Sequence, residues 1–362
     1  MSSADLLHPG ARSHTEPPQA KRPRGRAGWS TAAVFLIGLA VLVVSMGLAV
    51  RIGVSGVGFA EIGRTLGVRL GLPVTPLPRL LDSVIWELRV PRVLLAALVG
   101  ALLAVCGAAL QGVTRNALAD PYLLGVSNGA SAGAVAVVVI GAGAGALGVT
   151  GGALAGALLS FGLMMLLLRR SGMHTARIVL TGVIVGQLFA AVTSLILMAS
   201  ADPDTTRAIT YWLLGSMASA RWDAVLVCAI AGAVGLVVIW LCAGALDGFA
   251  FGSDTAASVG VDVRTTRLVL LVATALLTSV AVASVGAIGF VGLIVPHGVR
   301  FLVGPLHRVL LPFTAVAGAV FLVWTDALAR VAFAPREVPV GVFTALVGVP
   351  LFLLVLRRRG EL

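Results

Sequence analysis

The chain has 362 residues, of which 59% are hydrophobic and only 11% are charged, with a mean hydropathy of +1.05. A soluble domain carries about a quarter charged residues, so this composition excludes a soluble protein and indicates an integral membrane protein. The formal net charge of +11 would suit nucleic acid, but the basic residues lie in a terminal tail and in short connections between apolar runs. That distribution is typical of membrane orientation, because Lys and Arg prefer cytoplasmic loops. We therefore expect a lipid bilayer, and no nucleic acid, among the partners.

The first 28 residues are rich in Pro, Arg, Ser and Gly and have too few apolar residues to form a core. We predict a disordered, basic, cytoplasmic tail over residues 1–28, followed by one transmembrane domain over residues 29–362. The apolar run Trp29–Val50 is too long for the core of a signal peptide and should remain as the first span. A basic cluster just before it (Lys21, Arg22, Arg24 and Arg26) predicts a cytoplasmic N-terminus.

Nine further apolar runs follow a mixed segment that has room for a short amphipathic helix near 59–70. Each run approaches the ~18 to 20 apolar residues that a membrane-spanning helix needs. The predicted spans are 93–113, 121–140, 144–168, 176–199, 222–243, 266–284, 286–302, 308–333 and 338–357. With the first run they predict an all-α membrane protein of about ten helices. An even number places both termini on one side, which agrees with the basic C-terminal residues 357–359.

Glycine and cysteine patterns give no cofactor site. Many of the 44 glycines lie inside spans, and we interpret them as close helix packing in lipid. The sequence contains no GxxxxGK[ST] motif, so any ATP and Mg²⁺ would be bound by a partner protein. Cys106, Cys228 and Cys242 are far apart inside apolar runs, and we read them as small buried side chains. We therefore expect no cofactor or metal on this chain.

Polar residues interrupt the apolar runs in three places. The first is a polar turn between the second and third spans, with Gln111, Asn116 and Pro121, followed by Asn128 inside the third span. The second is Pro296 and His297 in the eighth span. A proline frees a carbonyl, which membrane proteins tolerate where neighbouring groups or a water-filled cavity satisfy it. For His297 we favour hydrogen bonding over metal binding, because no second ligand lies at suitable spacing.

The third interruption is Asp326 with Arg330. The two are four residues apart on one helix, so they share a face and can pair, which lowers the cost of placing both near the membrane. Asp326 is also a candidate for proton coupling in a secondary transporter that works alone. We favour the structural role.

The segment between the sixth and seventh spans, at about 246–264, contains three aspartates. A short helix is predicted from about 255 to 259, with Ser253 and Asp254 as its N-cap and Gly260 as its stop. The residues alone leave two interpretations open, a simple loop closure and a docking element for another protein.

Seven phrases along the chain resemble the FecCD-type permeases, the ten-helix membrane subunits of bacterial ABC importers for iron–siderophores, haem and cobalamin. They are RVPR (89–92), GALLAVCGAALQGVTRNALADPYLLGVSNGA (100–130), YWLLGSM (211–217), GFVGLIVPHGVR (289–300), HRVLLP (307–312), TDALAR (325–330) and EVPVGVFTALVGVPLF (337–352). Ala117 departs from the family pattern, which usually has proline there, and the N-terminal tail is longer than expected.

The resemblance implies a multi-pass permease of the bacterial cell membrane that is not itself an enzyme. Its partners would be a second permease copy, usually identical, two ATPase subunits on the cytoplasmic side and an extracytoplasmic substrate-binding protein. The cargo would be an iron–siderophore, with haem or cobalamin as alternatives. The chief rivals are the ion-coupled secondary transporter and a membrane assembly protein without transport.

The resemblance also implies roles for particular residues. By position, Arg89, Arg92 and Arg330 would receive acidic residues of the binding protein. The segment after the sixth span would be the coupling element that enters a cleft of the ATPase, which favours docking over simple loop closure. Its residues are Gly252, Ser253, Asp254, Ala257, Gly260 and Val261. The remaining motif residues (Gln111, Asn116, Pro121, Asn128, Pro296, His297 and Asp326) would serve structure or the translocation path.

Overall fold

The computed structural model describes residues 30–53, 56–141, 146–171, 173–199 and 203–358. The predicted tail at 1–28 lies outside these residues. The described part of the chain is built from helices, and fifteen α-helices follow one another along it. They are α1 Thr31–Arg51, α2 Phe59–Arg69, α3 Arg79–Ser83, α4 Val90–Thr114, α5 Val126–Val139, α6 Ala146–Ser171, α7 Thr175–Ala199, α8 Pro203–Leu213, α9 Trp222–Leu241, α10 Ala243–Phe249, α11 Ser253–Ser258, α12 Val263–Val285, α13 Val291–Val303, α14 His307–Val331 and α15 Val340–Arg358.

The predicted spans correspond one by one to α1, α4, α5, α6, α7, α9, α12, α13, α14 and α15. Within the described residues, seven helices are long and apolar enough to cross a membrane. The other three are shorter apolar helices, at Val126–Val139, Val291–Val303 and Val340–Leu353. The amphipathic helix expected near 59–70 is α2. The all-α membrane architecture is therefore confirmed.

Two predicted spans are shorter than expected because their first residues are not α-helical. The third span begins with a 3₁₀ turn at Pro121–Leu124 and a left-handed Gly125 before α5 starts. The eighth begins with five residues outside any helix, and α13 starts only at Val291. Gly286 has φ +76° and lies against the carbonyl of Trp212, where a larger residue would collide with backbone. Helices α3, α8 and α10 were not predicted.

The second span, α4, is the centre of the bundle. In the helical segment that contains α4, 83% of the most apolar stretch is buried inside the bundle, whereas the buried share in α1 is 17%. Helices α1, α9, α12, α13 and α14 pack around it. Glycines allow the closest approaches: a β-carbon at Gly100 would collide with the backbone of Gly318 in α14, and one at Gly107 with Gly292 in α13. This agrees with the interpretation of glycine as helix packing in lipid.

Candidate functional sites at the two ends of the bundle

At one end of α4 and α14, called here the arginine end, four charged side chains form a cluster. Arg92 donates from Nε and Nη2 to the carboxylate of Asp326 at 3.0 to 3.2 Å, and from Nη1 to Glu337 Oε2 at 2.8 Å. Asp326 also forms the predicted ion pair with Arg330, with Nε and Oδ2 3.2 Å apart. Since Asp326 is only 1% exposed, these two arginines supply the compensation that a buried carboxylate requires.

Arg89 and Arg330 satisfy the last carbonyls of α1. The final turn of any helix leaves carbonyls without partners, and cations are favoured there by the helix dipole. Arg330 donates to the carbonyls of Ala49 (2.9 Å) and Ile52 (2.7 Å), and Arg89 to those of Val50 (3.0 Å) and Arg51 (3.1 Å). Both arginines therefore fix the end of α1 against α4 and α14.

The docking role implied for the three arginines stays a prediction, because contacts inside one chain do not test it. The structure does give all three partners within the chain. Only the Asp326 and Arg330 pair was visible in the sequence, through its spacing of four. Arg92 lies 234 residues from Asp326 and 245 from Glu337, so no local pattern indicated these contacts.

At the opposite end of α4, Gln111 joins three segments. Its Nε2 lies 3.2 Å from the carbonyls of Gly292 and Leu293 and 3.4 Å from that of Ala119. Its Oε1 accepts from Arg300 Nη1 at 2.7 Å. Gly292 lies four residues before Pro296, so its carbonyl is the one that the proline deprives of a helical partner. A neighbouring side chain, Gln111, therefore satisfies the carbonyl that Pro296 frees.

Other motif residues surround this junction. Pro121 packs on Gly292, and the neighbouring Tyr122 hydroxyl accepts from the N–H of Ile288 at 2.6 Å and donates to its carbonyl at 2.9 Å. These bonds satisfy backbone in the segment before α13, a role for Tyr122 that the sequence did not indicate. Asn116 caps its own turn by accepting from the N–H of Leu118 at 2.9 Å.

Asn128 and His297 contact different helices. The Asn128 side chain donates to the carbonyl of Gly186 in α7 at 3.0 Å. The buried ring of His297 makes edge contacts with Phe301 and with Phe352 of α15, at centroid distances of 5.3 and 6.4 Å. The motif residues are therefore spread over several helix contacts and do not form one site. The hydrogen-bonding role of His297 stays a prediction.

The end of the bundle that contains Gln111 also carries the predicted docking element, α11, and is called here the α11 end. A helix is present as predicted and is followed by Gly260 with φ +89°, but it begins at Ser253 and its N-cap is Gly252. The predicted cap by Ser253 and Asp254 is wrong. The Ser253 hydroxyl accepts from Arg267 Nη2 at 3.1 Å, so it is not available for capping.

Buried contacts on one side hold α11 against the bundle. Ala256 is fully buried, and Arg267 of α12 donates to the carbonyl of Met173 at 2.6 Å as well as to Ser253. Asp262 caps α12 by accepting from the N–H of Thr265 at 3.0 Å, and this bond lowers the pKa of its carboxyl. The cap and the arginine give α11 a fixed position.

The other side of α11 is exposed. Of the predicted coupling residues, Ser253, Asp254, Ala257 and Gly260 are exposed, while Gly252 and Val261 are partly buried. Two apolar side chains beside them, Phe251 and Val259, are 77% and 71% exposed. An exposed short helix with apolar side chains at both ends presents a surface for another protein.

Asp120 lies in the connection between α4 and α5. Its Oδ1 accepts from the N–H of Tyr122 at 2.9 Å, which favours the charged form. Burial outweighs this bond and raises the pKa of the carboxyl from 3.8 to about 6. Asp120 thus differs from Asp326, whose carboxylate contacts two arginines.

Comparisons with known proteins agree with this geometry. The model of the FecCD transport family matches residues 39–358. The cobalamin import system permease protein of Halobacterium salinarum is 42% identical over 78% of this chain and 75% of its own length. The iron(3+)-hydroxamate import system permease protein of Bacillus subtilis is 38% identical over 76% of this chain and 72% of its own length.

A solved structure, an inward-facing conformation of a metal-chelate type ABC transporter, has the same fold. It superposes with a TM-score of 0.78 at 28% identity, over 90% of this chain and 99% of that one. Permeases of this family work with ATPase subunits and a substrate-binding protein in ABC importers. The match over residues 39–358 and the identity of the relatives lead to one conclusion: the chain is a multi-pass membrane protein and belongs to the FecCD transport family of ABC importer permeases.

Proposed function

We propose that the chain translocates a metal chelate of the iron–siderophore type by alternating access, driven by a partner ATPase that binds the ATP and Mg²⁺. Cobalamin or haem is the alternative cargo, and relatives with a cobalamin name and a hydroxamate name are similarly close. The chain itself would perform no covalent chemistry. Rigid-body tilting of helices would open the path first to one side and then to the other.

The exposed face of α11 is the observation that carries this proposal. Its inner side is fixed by the buried Ala256 and by the bond from Arg267 to Ser253, while Asp254 and Ala257 are exposed. A helix held in this way transmits a push to α12, because Arg267 joins the two elements directly. An ATPase cleft that receives α11 would therefore move α12 with it.

The two ends of the bundle suggest where the remaining partners would bind. If the α11 end faces the cytoplasm, both termini are cytoplasmic and the arginine end faces the binding protein outside a bacterial cell membrane. A second permease copy would cover exposed apolar residues on α7, of which Leu180, Ile184 and Leu195 are 57% to 69% exposed. A homodimer with a path between the copies is the arrangement that we propose.

Transport measurements in proteoliposomes test the proposal. The chain would be reconstituted with a partner ATPase and a substrate-binding protein. We expect ATP-dependent accumulation of a ferric hydroxamate siderophore inside the vesicles, with no accumulation when the ATPase is left out. Accumulation of cyanocobalamin but not of the siderophore would identify cobalamin as the cargo.

The same vesicles decide between this function and the secondary transporter. Uptake driven by a proton gradient without ATPase would overturn the proposal. We expect none, because Asp326, the carboxylate that the sequence places well inside a predicted span, forms ion pairs with both Arg92 and Arg330 within the chain.

A further inference from the structure

The three arginines at the arginine end differ in whether a partner protein can reach them. Arg89 and Arg330 are 7% and 5% exposed, and both donate to backbone carbonyls at the end of α1. Drawing either one outward would leave those carbonyls without partners, which is costly in a buried place. The side chain of Arg92 is 13% exposed and contacts only carboxylates in the bonds described above. Arg92 is therefore the most accessible of the three.

The two carboxylates on Arg92 are unequal. Asp326 is 1% exposed, lies inside α14 and contacts Arg330 as well. Glu337 is 43% exposed, and it holds Arg92 through one hydrogen bond from Nη1 at 2.8 Å. An ion pair with one solvent-exposed partner contributes little free energy to stability, whereas breaking a buried ion pair costs several times more. Glu337 is thus the exchangeable partner and Asp326 the fixed one.

Glu337 also lies next to the start of α15. The connection from α14 to α15 runs from Ala332 to Pro339, and the N–H of Val338 donates to the carbonyl of Ala329 at 3.3 Å. Two residues into α15, Gly341 packs against the carbonyls of Leu214 and Ala287, in the turns beside α8 and α12. The bond from Arg92 to Glu337 therefore helps to hold the beginning of α15 against α4.

We propose that Glu337 occupies, on Arg92 Nη1, the place that a carboxylate of the substrate-binding protein takes when it docks. Docking then exchanges one carboxylate for another, leaves Asp326 in place and releases the segment that leads into α15. This inference rests on the proposed function, since it requires an acidic partner at the arginine end. It assigns Glu337 a role in regulating docking that the three arginines alone do not supply.

Binding of the substrate-binding protein to the permease in lipid nanodiscs, measured by surface plasmon resonance, tests the exchange. Glu337→Gln removes the internal competitor and keeps the side-chain length, so we expect binding about five-fold tighter than wild type, the scale of one exposed ion pair. Glu87→Gln is the matched control, because Glu87 is an exposed carboxylate two residues before Arg89. It removes the same charge without the contact, and we expect less than a two-fold change.

Equal affinities for wild type and Glu337→Gln, or equal gains for Glu337→Gln and Glu87→Gln, overturn the exchange. Failure of the wild-type permease to bind the binding protein at all overturns the proposed function itself. The two failures are therefore distinguishable in one data set.

A second measurement needs no partner. A nitroxide label at the exposed position Arg336→Cys reports the mobility of the connection before α15 in nanodiscs. We expect Glu337→Gln to increase the label mobility and Glu87→Gln to leave it unchanged. An unchanged spectrum in Glu337→Gln shows that the bond does not restrain the segment, and it overturns the release step even if binding tightens.

Discussion

The two ends of the bundle use charge in opposite ways. At the arginine end, Arg89, Arg92, Arg330 and Asp326 are largely buried, and each has a partner within the chain. At the α11 end, Asp254 and Asp262 are exposed. Gly252 is the N-cap of α11, and Arg267 of α12 donates to Ser253 at the start of α11.

This difference separates stability from docking. Buried charges stabilise a fold only when all of them are paired, so a change at the arginine end should act first on folding. Exposed groups contribute little to the free energy of unfolding, so a change on the exposed face of α11 should act first on partner binding. The predictions below test this separation.

The largest expected effect is that of Asp326→Ala. It leaves Arg92 and Arg330 near each other without their common carboxylate, which should cost about 3 to 5 kcal/mol of stability. Chemical denaturation of the purified permease in detergent measures the loss. Asp254→Ala at the α11 end is the control, with an expected change within about 0.5 kcal/mol. Similar losses in both variants would contradict the division between the two ends.

Gln111→Ala should have the next largest effect. It removes the donor to Gly292 and Leu293 and the acceptor of Arg300, so about 1 to 3 kcal/mol of stability should be lost. The same denaturation experiment measures it. Ser219→Ala, at an exposed position in the connection before α9, is the control and should be near neutral. A stable Gln111→Ala variant would mean that other groups satisfy the carbonyl freed by Pro296.

Asp120→Asn should stabilise the protein, and only above a certain pH. The folded-state pKa of about 6 lies above the ordinary value of 3.8, so stability falls as pH rises from about 4 and the loss is complete somewhat above 6. Asparagine keeps an acceptor for the N–H of Tyr122 and carries no charge. We expect a gain of about 1 to 2 kcal/mol at pH 8 that vanishes near pH 4. A gain that is independent of pH would show that burial of the charge is not its cause.

The sequence predicted the ten apolar helices, the Asp326 and Arg330 pair and the existence of α11, because each depends on local composition or on spacing along a helix. It did not predict the partners of Arg92, Gln111 and Tyr122. Apart from Ala119, which is close to Gln111 in the chain, those partners lie 166 to 245 residues away, and their contacts arise only when distant segments pack together. The non-helical segment before α13 was not predicted for the same reason. Glycine is required at position 286 because the carbonyl of Trp212, far away in the chain, leaves no room for a side chain.

Gly252→Ala should have a modest effect on stability and a large one on transport. With φ +108° and ψ 157°, Gly252 is in a conformation that alanine adopts only with strain, at a cost of about 1 to 3 kcal/mol. Gly248→Ala in α10 is the matched control, because a β-carbon there meets its neighbours at ordinary contact distances of 3.6 Å or more. If α11 couples the ATPase to α12, Gly252→Ala should reduce ATP-driven uptake several-fold while Gly248→Ala does not. Since the strain is too small to unfold the chain, lost uptake with intact folding would locate the coupling at α11, and equal uptake in both variants would remove it from there.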